Sequence, residues 1–387
     1  VMLDLAVKGS KKYWGLLGVL GAIVAFGAFF YFKQLSFGLG ITGMSRDVSW
    51  GFYIDQITFL VGVAAGGVMV VLPYYLHDYK AFGRITILGE FLAISAITMC
   101  LLFILVDLGQ PMRMLNVIFY PTPNSMLFWD MIVLNGYLFL NIIIGWNVLE
   151  AERNGTHYGM WLKPFIYLSI PWAVGIHTVT AYLYCGLPGR HFWLTAILAP
   201  RFLASAFAAG PALLILLCLI VRKFTKFDPG REQIQSLAKI VTYAIILNVF
   251  FLACEVFVAF YSNIPGHMDH LKYLFVGLHG HTALVPWMWS AIVLMLIAIV
   301  LLLIPTCRRN EGVLAVACVM LFIGAWIDKG MGMIAGGFVP NPLHEVNEYM
   351  PSGPEVAITL GVWAAGFIVL TILYKMATGV KEEAAGL

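Results

Sequence analysis

The sequence predicts an all-α integral membrane protein: ten transmembrane helices in a single membrane domain, with both termini cytoplasmic. Three observations predict it. Of 387 residues, 61% are hydrophobic and only 11% charged, whereas a soluble domain carries about 25% charged residues. Ten runs are long and apolar enough to cross a hydrocarbon core of about 30 Å, which takes about 20 residues each. Finally, Lys and Arg are distributed unequally between the loops on the two sides.

The first run, 14–32, follows Lys8, Lys11 and Lys12 and lacks a small-residue cleavage site after it, so it reads as a helix rather than a removed signal. The second, 50–76, starts at Trp50 and ends ahead of Lys80 and Arg84, and the third, 85–106, runs back to Asp107. The fourth, 125–149, ends before Arg153, and the fifth, 161–184, carries the clearest mid-helix breaker, Pro171. The sixth, 201–222, stops on Arg222 and Lys223, and the seventh, 239–262, starts at Lys239. The eighth, 283–304, precedes Arg308 and Arg309, the ninth, 312–335, returns, and the tenth, 354–375, ends on Lys375. With ten spans, sixteen of the 23 Lys and Arg residues fall on the side of the termini. The positive-inside rule therefore assigns that side to the cytoplasm and the protein to the cytoplasmic (inner) membrane.

The outer loops are rich in Gly and Pro, as in "SFGLGITGMSRDVSWG" and "GGFVPNPLHEVNEYMPSGPE", which favours turns of defined geometry. Trp50, Trp129, Trp193, Trp287 and Trp289 gather at that boundary as interfacial anchors. An ordered outer face suits a docked partner. "FLVGVAAGG" (59–67) echoes "FLASAFAAG" (202–210) with one residue inserted, which suggests a parallel repeat of spans 2–5 and 6–9. The six cysteines form no C-x-x-C pair, so no cluster or haem attachment is expected from them. The net charge of +3 is small, and no nucleic-acid partner is expected.

Charged side chains in lipid cost about 2.5–3.5 kcal/mol each at mid-bilayer and should face protein, water or ligand. Counting from the predicted outer ends, Asp55, Asp130, His177 and Glu255 lie roughly 7–10 Å deep, on four different spans. Asp328 and Lys329 lie at a similar depth and are positioned to pair with each other. Glu90 is set apart, near the cytoplasmic end of the third span. Asp55, Thr58, Gly62 and Gly66 share one helical face, a polar end above a side-chain-free groove. Asp130, Tyr137 and Asn141 share another, as do His177, Thr180 and Tyr184. A flat ring with a polar rim and an apolar tail suits such a layer, and a quinone is that kind of ligand. Histidine, with an unperturbed pKa of about 6.5, suits the exchange of its protons. Asp55, Asp130 and His177 are thus the candidate reactive groups, with Thr58, Gly62, Gly66 and Tyr184 as further binding positions.

Each feature has a plainer reading. A buried histidine often only packs, Gly62 and Gly66 suit helix packing, and Glu255 could belong to a structural cluster in spans 6–9. His267, His270, His279 and His281 have metal-like spacing without a convincing Cys or carboxylate set, so no metal is expected. Only His177 lies at membrane depth, so no paired axial ligands exist for a haem b, and neither haem nor iron–sulfur cluster is expected. Glu90, Glu255 and Asp328 are the candidate proton-pathway residues. A proton-coupled secondary transporter would also explain buried acids and repeats; a passive anchor would not.

The runs "GLGITGMSRDVSWGFYIDQITFLVGVAAGG", "VDLGQPMRM" with "NSMLFWD", and "IHTVTAYLYCGLPGRHFWLTAILAPRFLASAFAAG" resemble the NrfD/PsrC family of polysulfide reductase membrane subunits. The ten-span length and "GLPGRHFW…ILAPRFLASAF" are most similar to its DsrP branch, the quinone-interacting subunits of DsrMKJOP complexes of sulfur-compound dissimilation. The resemblance implies two four-helix bundles, spans 2–5 (50–184) and 6–9 (201–335), flanked by spans 1 and 10. It implies a menaquinone/menaquinol site in the first bundle, beside a docked extracytoplasmic iron–sulfur subunit of DsrO type, and other membrane subunits as partners. The family's quinone contacts, ahead of its Gly-Gly pair, fall here on Asp55 and Thr58, before Gly66 and Gly67. Asp and Thr replace the Asn and His seen there, which leaves His177 as a substitute proton carrier.

Overall fold

The computed structural model describes residues 3–384 and 386, and ten of its helices are long and apolar enough to cross a membrane. They are α1 (Lys11–Phe37), α2 (Phe52–Leu76), α3 (Thr86–Asp107), α4 (Met126–Arg153) and α5 (Lys163–Cys185). The others are α6 (Leu198–Phe224), α7 (Arg231–Tyr261), α8 (Val285–Leu303), α9 (Glu311–Phe338) and α10 (Gly353–Ala384). The sequence-derived spans match all ten within a few residues, except that α7 starts earlier and α1 and α10 are longer. The α10 extension has a cause: Lys381 reaches Glu152 at the end of α4 (2.8 and 3.0 Å) and so extends the helix past its apolar stretch.

Ser10 caps α1 by accepting from the Tyr13 backbone N–H (3.3 Å), and Asn310 caps α9 through Gly312 and Val313 (3.0 and 3.3 Å). α2 is interrupted at Gly67, and α9 relaxes into a π-helical turn over Ile327–Gly332. No local sequence pattern announces either interruption. At Gly67 the cause is close approach to α3, because a Cβ there would sit 2.8 Å from the Gly89 carbonyl oxygen.

α2 packs on α3 and α5, and α4 closes the set by packing on both α3 and α5. α6 packs on α7 and α9, and α8 joins α7 to α9 in the same way. The two sets meet along α2 and α6, where a Cβ on Gly66 would lie 2.6 Å from the Gly210 Cα and one on Gly210 would lie 2.7 Å from the Gly66 Cα. These two glycines are matched members of the echo noted in the sequence, so the echoed segments contact each other at this crossing. α10 lies along α1, with a close Gly27–Gly361 crossing, and packs against α3 and α4. The flanking helices therefore sit together on one side.

The face opposite the termini is cross-linked. Glu355, fully buried, accepts from the backbone N–H groups of Gly43 (3.0 Å) and Phe52 (3.1 Å) and from the Tyr349 hydroxyl. Burial and that carboxylate hold the Tyr349 phenol well above its ordinary value. Asp47 accepts from Asn341 and Asn347 (3.3 and 3.0 Å). Trp193 corrects an expectation: it is not an interfacial anchor but fully buried, donating to the Met333 carbonyl (2.8 Å) and packed on Trp50 and Tyr184.

Candidate functional site

α2, α4 and α5 bring one closed polar layer together near their loop-face ends. Asp55, Thr58, Asp130, His177, Thr180 and Tyr184 are each between 0 and 5% exposed. The Tyr184 and Thr58 hydroxyls are 2.5 Å apart, and Thr58 also donates to the Ile54 carbonyl (2.9 Å). That second bond fixes the threonine hydrogen and leaves Tyr184 as donor to Thr58. Thr180 lies within reach of both the Asp130 carboxylate (2.7 Å) and the Ile176 carbonyl (2.8 Å). Asp130 thus meets Thr180 rather than His177. Hydroxyl contacts therefore join the Thr58 end of one face to Tyr184 and Asp130 of another to Thr180, while no described hydrogen bond links Asp55, Tyr137 or Asn141 to the other helices.

Two buried polar atoms of this layer have no hydrogen-bond partner among the described residues: Asp55 Oδ1 and His177 Nδ1. Buried polar groups are nearly always paired, so each such atom calls for an explanation. A ligand with an oxygen at each end of a flat ring would meet such atoms and the adjoining hydroxyls. Asp55 Oδ1, and His177 Nδ1 when the imidazole hydrogen is on Nε2, are acceptors and so fit the hydroxyl hydrogens of a quinol, the hydrogens of Thr58, Thr180 and Tyr184 being committed to protein oxygens. Neighbouring Gln56 is spoken for on its oxygen, accepting from Trp326 and Trp363 (2.9 and 3.0 Å), which ties α2 to α9 and α10.

The glycine groove below Asp55 is not open. A Cβ on Gly62 would lie 2.8 Å from Lys329 Nζ and 3.3 Å from His177, while Gly66 is filled by α6. Gly62 and Gly66 therefore admit neighbouring helices rather than presenting a free groove. Lys329 does not pair with Asp328, contrary to expectation. Its Nζ lies 2.6 Å from His177 Nε2 and 3.4 Å from the Phe202 carbonyl oxygen, above the Phe202 ring. Asp328 turns the other way.

A second polar centre lies among α6, α7 and α9. Arg201 pairs with Asp328 (2.7 Å) and with Glu255. In sequence Arg201 looks like a flanking charge at the start of a span; the structure buries it at 6% exposure. Its signal was the Phe59/Phe202 echo, which sets Arg201 one residue before Phe202, the place Thr58 holds before Phe59. Beyond Glu255 a cavity of about 250 Å³ opens, lined by Thr195, Cys254, Val258, His267 and Leu271 among others. Glu90 is buried on α3, its Oε2 without a partner among the described residues, and is not joined to Glu255 or Asp328 by any described hydrogen bond.

Of the metal-like histidines, His270 is committed elsewhere. Its Nδ1 lies 2.6 Å from the Gly336 carbonyl and 2.8 Å from that of Val339, so Nδ1 carries the hydrogen. Burial pushes its pKa down to about 4. His281 faces Glu348 (3.2 Å).

Comparison with known proteins follows the same lines. The family model described as "Polysulphide reductase, NrfD" matches residues 40–340. A selenate reductase subunit of Mesobacillus selenatarsenatis is 24% identical, over 92% of this chain and 92% of its own. The menaquinone reductase integral membrane subunit of Nitratidesulfovibrio vulgaris is 21% identical, over 97% and 93%. The Hdr-like menaquinol oxidoreductase integral membrane subunit of Archaeoglobus fulgidus is 27% identical, over 64% of this chain and 60% of its own.

Proposed function

Because this chain belongs to the NrfD polysulphide reductase family, we propose that it is the quinone-reactive membrane subunit of a respiratory oxidoreductase complex. Its substrate is menaquinol or menaquinone, and its electron partner an iron–sulfur protein docked on the loop face. The bundle 50–184 holds the ring and the bundle 201–335 supports it. Positive-inside asymmetry supports a cytoplasmic membrane location with both termini inside. The DsrP-like run supports a place in dissimilatory sulfur metabolism, with a DsrO-type partner.

The observation that carries this reading is the buried Asp55 carboxylate, whose Oδ1 has no partner among the described residues. A carboxylate in lipid without a counter-charge is retained at a cost of several kcal/mol unless something uses it. Asp55 and Thr58 would hold one ring oxygen, and Asp130, Thr180 and His177 the other, with Tyr184 ordering the hydroxyls between them. The quinone, when bound, supplies two-electron redox chemistry. The protein's own part is to exclude water, orient the ring and exchange protons at His177 and the carboxylates. Glu90, Asp328 and Glu255 remain the candidate groups for moving protons across the membrane.

The interruptions at Gly67 and in the π-turn of α9 favour one competitor, a proton-coupled transporter, since transporters break their helices near the membrane centre. Quenching of a fluorescent quinone-analogue inhibitor separates the two. Wild-type protein should bind the analogue, and Asp55→Asn and His177→Ala should weaken binding at least tenfold while remaining folded. Unchanged binding in both variants would move the site away from α2–α5, and no binding by wild type would favour transport.

A further inference from the structure

The consecutive residues Asp328 and Lys329 serve different polar centres. In a regular α-helix neighbouring side chains diverge by about 100°, and the π-turn spanning Ile327–Gly332 carries both into buried positions. Asp328 bonds Arg201, and Lys329 crosses to α5. Both are nearly inaccessible, at 2 and 5% exposure. Among the described residues no carboxylate lies within ion-pair distance of Lys329. The glycine at position 62 leaves the space its ammonium end occupies. π-turns inside α-helices recur at functional sites.

His177 Nε2 lies 2.6 Å from the Phe202 carbonyl oxygen and 2.6 Å from Lys329 Nζ. A ring nitrogen cannot both donate to that carbonyl and accept from an ammonium. Two arrangements are available, each placing a hydrogen in one of the two contacts. In one, Lys329 is an ammonium donating to Nε2, and the imidazole hydrogen is on Nδ1. In the other, Lys329 is a neutral amine, Nε2–H donates to Phe202, and Nδ1 presents a lone pair. Nδ1 is the buried atom without a partner.

We infer that His177 and Lys329 form a proton relay across the imidazole ring, which delivers protons from the α2–α5 layer to Nζ on α9. In the forward step Nδ1 gains a proton from the layer as Nε2 gives its proton to Nζ. One N–H bond forms and one breaks at the ring, no electrons move, and the positive charge ends on Nζ. The reverse step returns a proton to the layer. The charged and titratable groups acting on Lys329 are Cys100 of α3, Arg201 of α6 and Asp328 of α9; Asp55 of α2, Asp130 of α4, Tyr184 of α5 and Glu255 of α7 lie on neighbouring helices without a described contact to the pair, and α8 carries no titratable residue. Arg201 opposes arrival of the proton on Nζ, and Asp328 offsets part of that opposition. The relay rests on the quinone reading only for the ligand it serves.

The test is ¹⁵N-histidine solid-state NMR of the full chain in lipid nanodiscs, with the His177 signals assigned by their loss in His177→Gln. Wild type should change from the Nδ1–H to the Nε2–H tautomer as pH rises between 5 and 9. Lys329→Met removes the donor and should fix Nε2–H throughout. Lys329→Arg keeps a charge that does not dissociate and should fix Nδ1–H. The same tautomer in all three proteins, or a wild-type tautomer that ignores pH, overturns the relay. Oxidation of a short-chain naphthoquinol by the intact membrane complex should fall tenfold or more in both variants. Tautomers fixed as stated with unchanged turnover would uphold the relay and remove the layer as the site of quinol chemistry.

Discussion

The α2–α5 layer and the α6–α9 ion cluster lie beside the two echoed segments and solve burial in opposite ways. Thr58 and Arg201 each precede the first residue of the echo, Phe59 and Phe202. Around Thr58 the contacts are hydroxyl to hydroxyl and hydroxyl to carboxylate, and Asp55 Oδ1 and His177 Nδ1 stay open. Around Arg201 two carboxylates close on one guanidinium. A centre whose charges pair among themselves has no need of a ligand. One with orphaned acceptors does, and the proposal of a quinone site in the α2–α5 half rests on that difference rather than on the number of buried acids.

The comparison is most exposed at Arg201. Arg201→Met leaves Glu255 and Asp328 buried without their counter-ion, and breaking such a pair costs about 3–5 kcal/mol. The purified protein should lose many degrees of apparent Tm or fail to accumulate in the membrane. Asp55→Asn, which removes a carboxylate whose Oδ1 has no partner among the described residues, should leave the melting temperature unchanged or raise it. Equal destabilisation by the two substitutions would erase the distinction between the centres.

The sequence made one of these centres far more legible than the other. Asp55, Asp130 and His177 stand out because each interrupts an apolar run well inside its ends, and helical spacing alone groups Asp55 with Thr58 and His177 with Thr180 and Tyr184, but Asp130 only with Tyr137 and Asn141. Arg201 follows Pro200 at the start of a run, where a cation normally marks an aqueous boundary, so its burial was hidden. Lys329 beside Asp328 invites pairing between neighbours; only the π-turn, which no local pattern announces, sends them apart. Glu355 was masked in the same way, lying in a Gly- and Pro-rich stretch that reads as solvated loop while its carboxylate caps backbone N–H groups from two distant segments. Helix existence follows from apolar length. Which charges are buried at helix ends depends on contacts between distant segments.

The two glycines of α2 sharpen the contrast at an intermediate scale. Gly66→Ala would drive a Cβ to 2.6 Å from the Gly210 backbone, at the crossing of the echoed segments, and overpacking of this kind costs about 1–3 kcal/mol. Gly62→Ala would meet the flexible end of Lys329 at 2.8 Å, which can withdraw. Gly66→Ala should therefore lower the melting temperature more than Gly62→Ala does. Gly62→Ala should instead disturb the His177 tautomer while the fold survives. If both variants melt alike and His177 is unmoved in Gly62→Ala, Lys329 does not occupy the Gly62 notch in the working protein.

The smallest effect concerns a histidine that contrasts with His177. His270 has its Nδ1–H shared between two carbonyls at the end of α9, and burial lowers its pKa to about 4. The unfolded segment, with an ordinary pKa of about 6.5, binds a proton more readily than the folded one. The stability this site contributes is therefore complete above pH 6.5 and declines as pH falls from 6.5 toward 4. At pH 5.5 the loss is about 1 kcal/mol. Hydrogen exchange over residues 334–341, corrected for intrinsic rates, should accelerate about tenfold between pH 7.5 and 5.5, and His270→Asn should remove most of that dependence. The Asp55 segment of α2 should show a smaller change, because no described hydrogen bond joins it to His270. A uniform pH response in both segments would mean that the loop face and the reactive layer open together, and that the two halves of the scaffold are not separate units of stability.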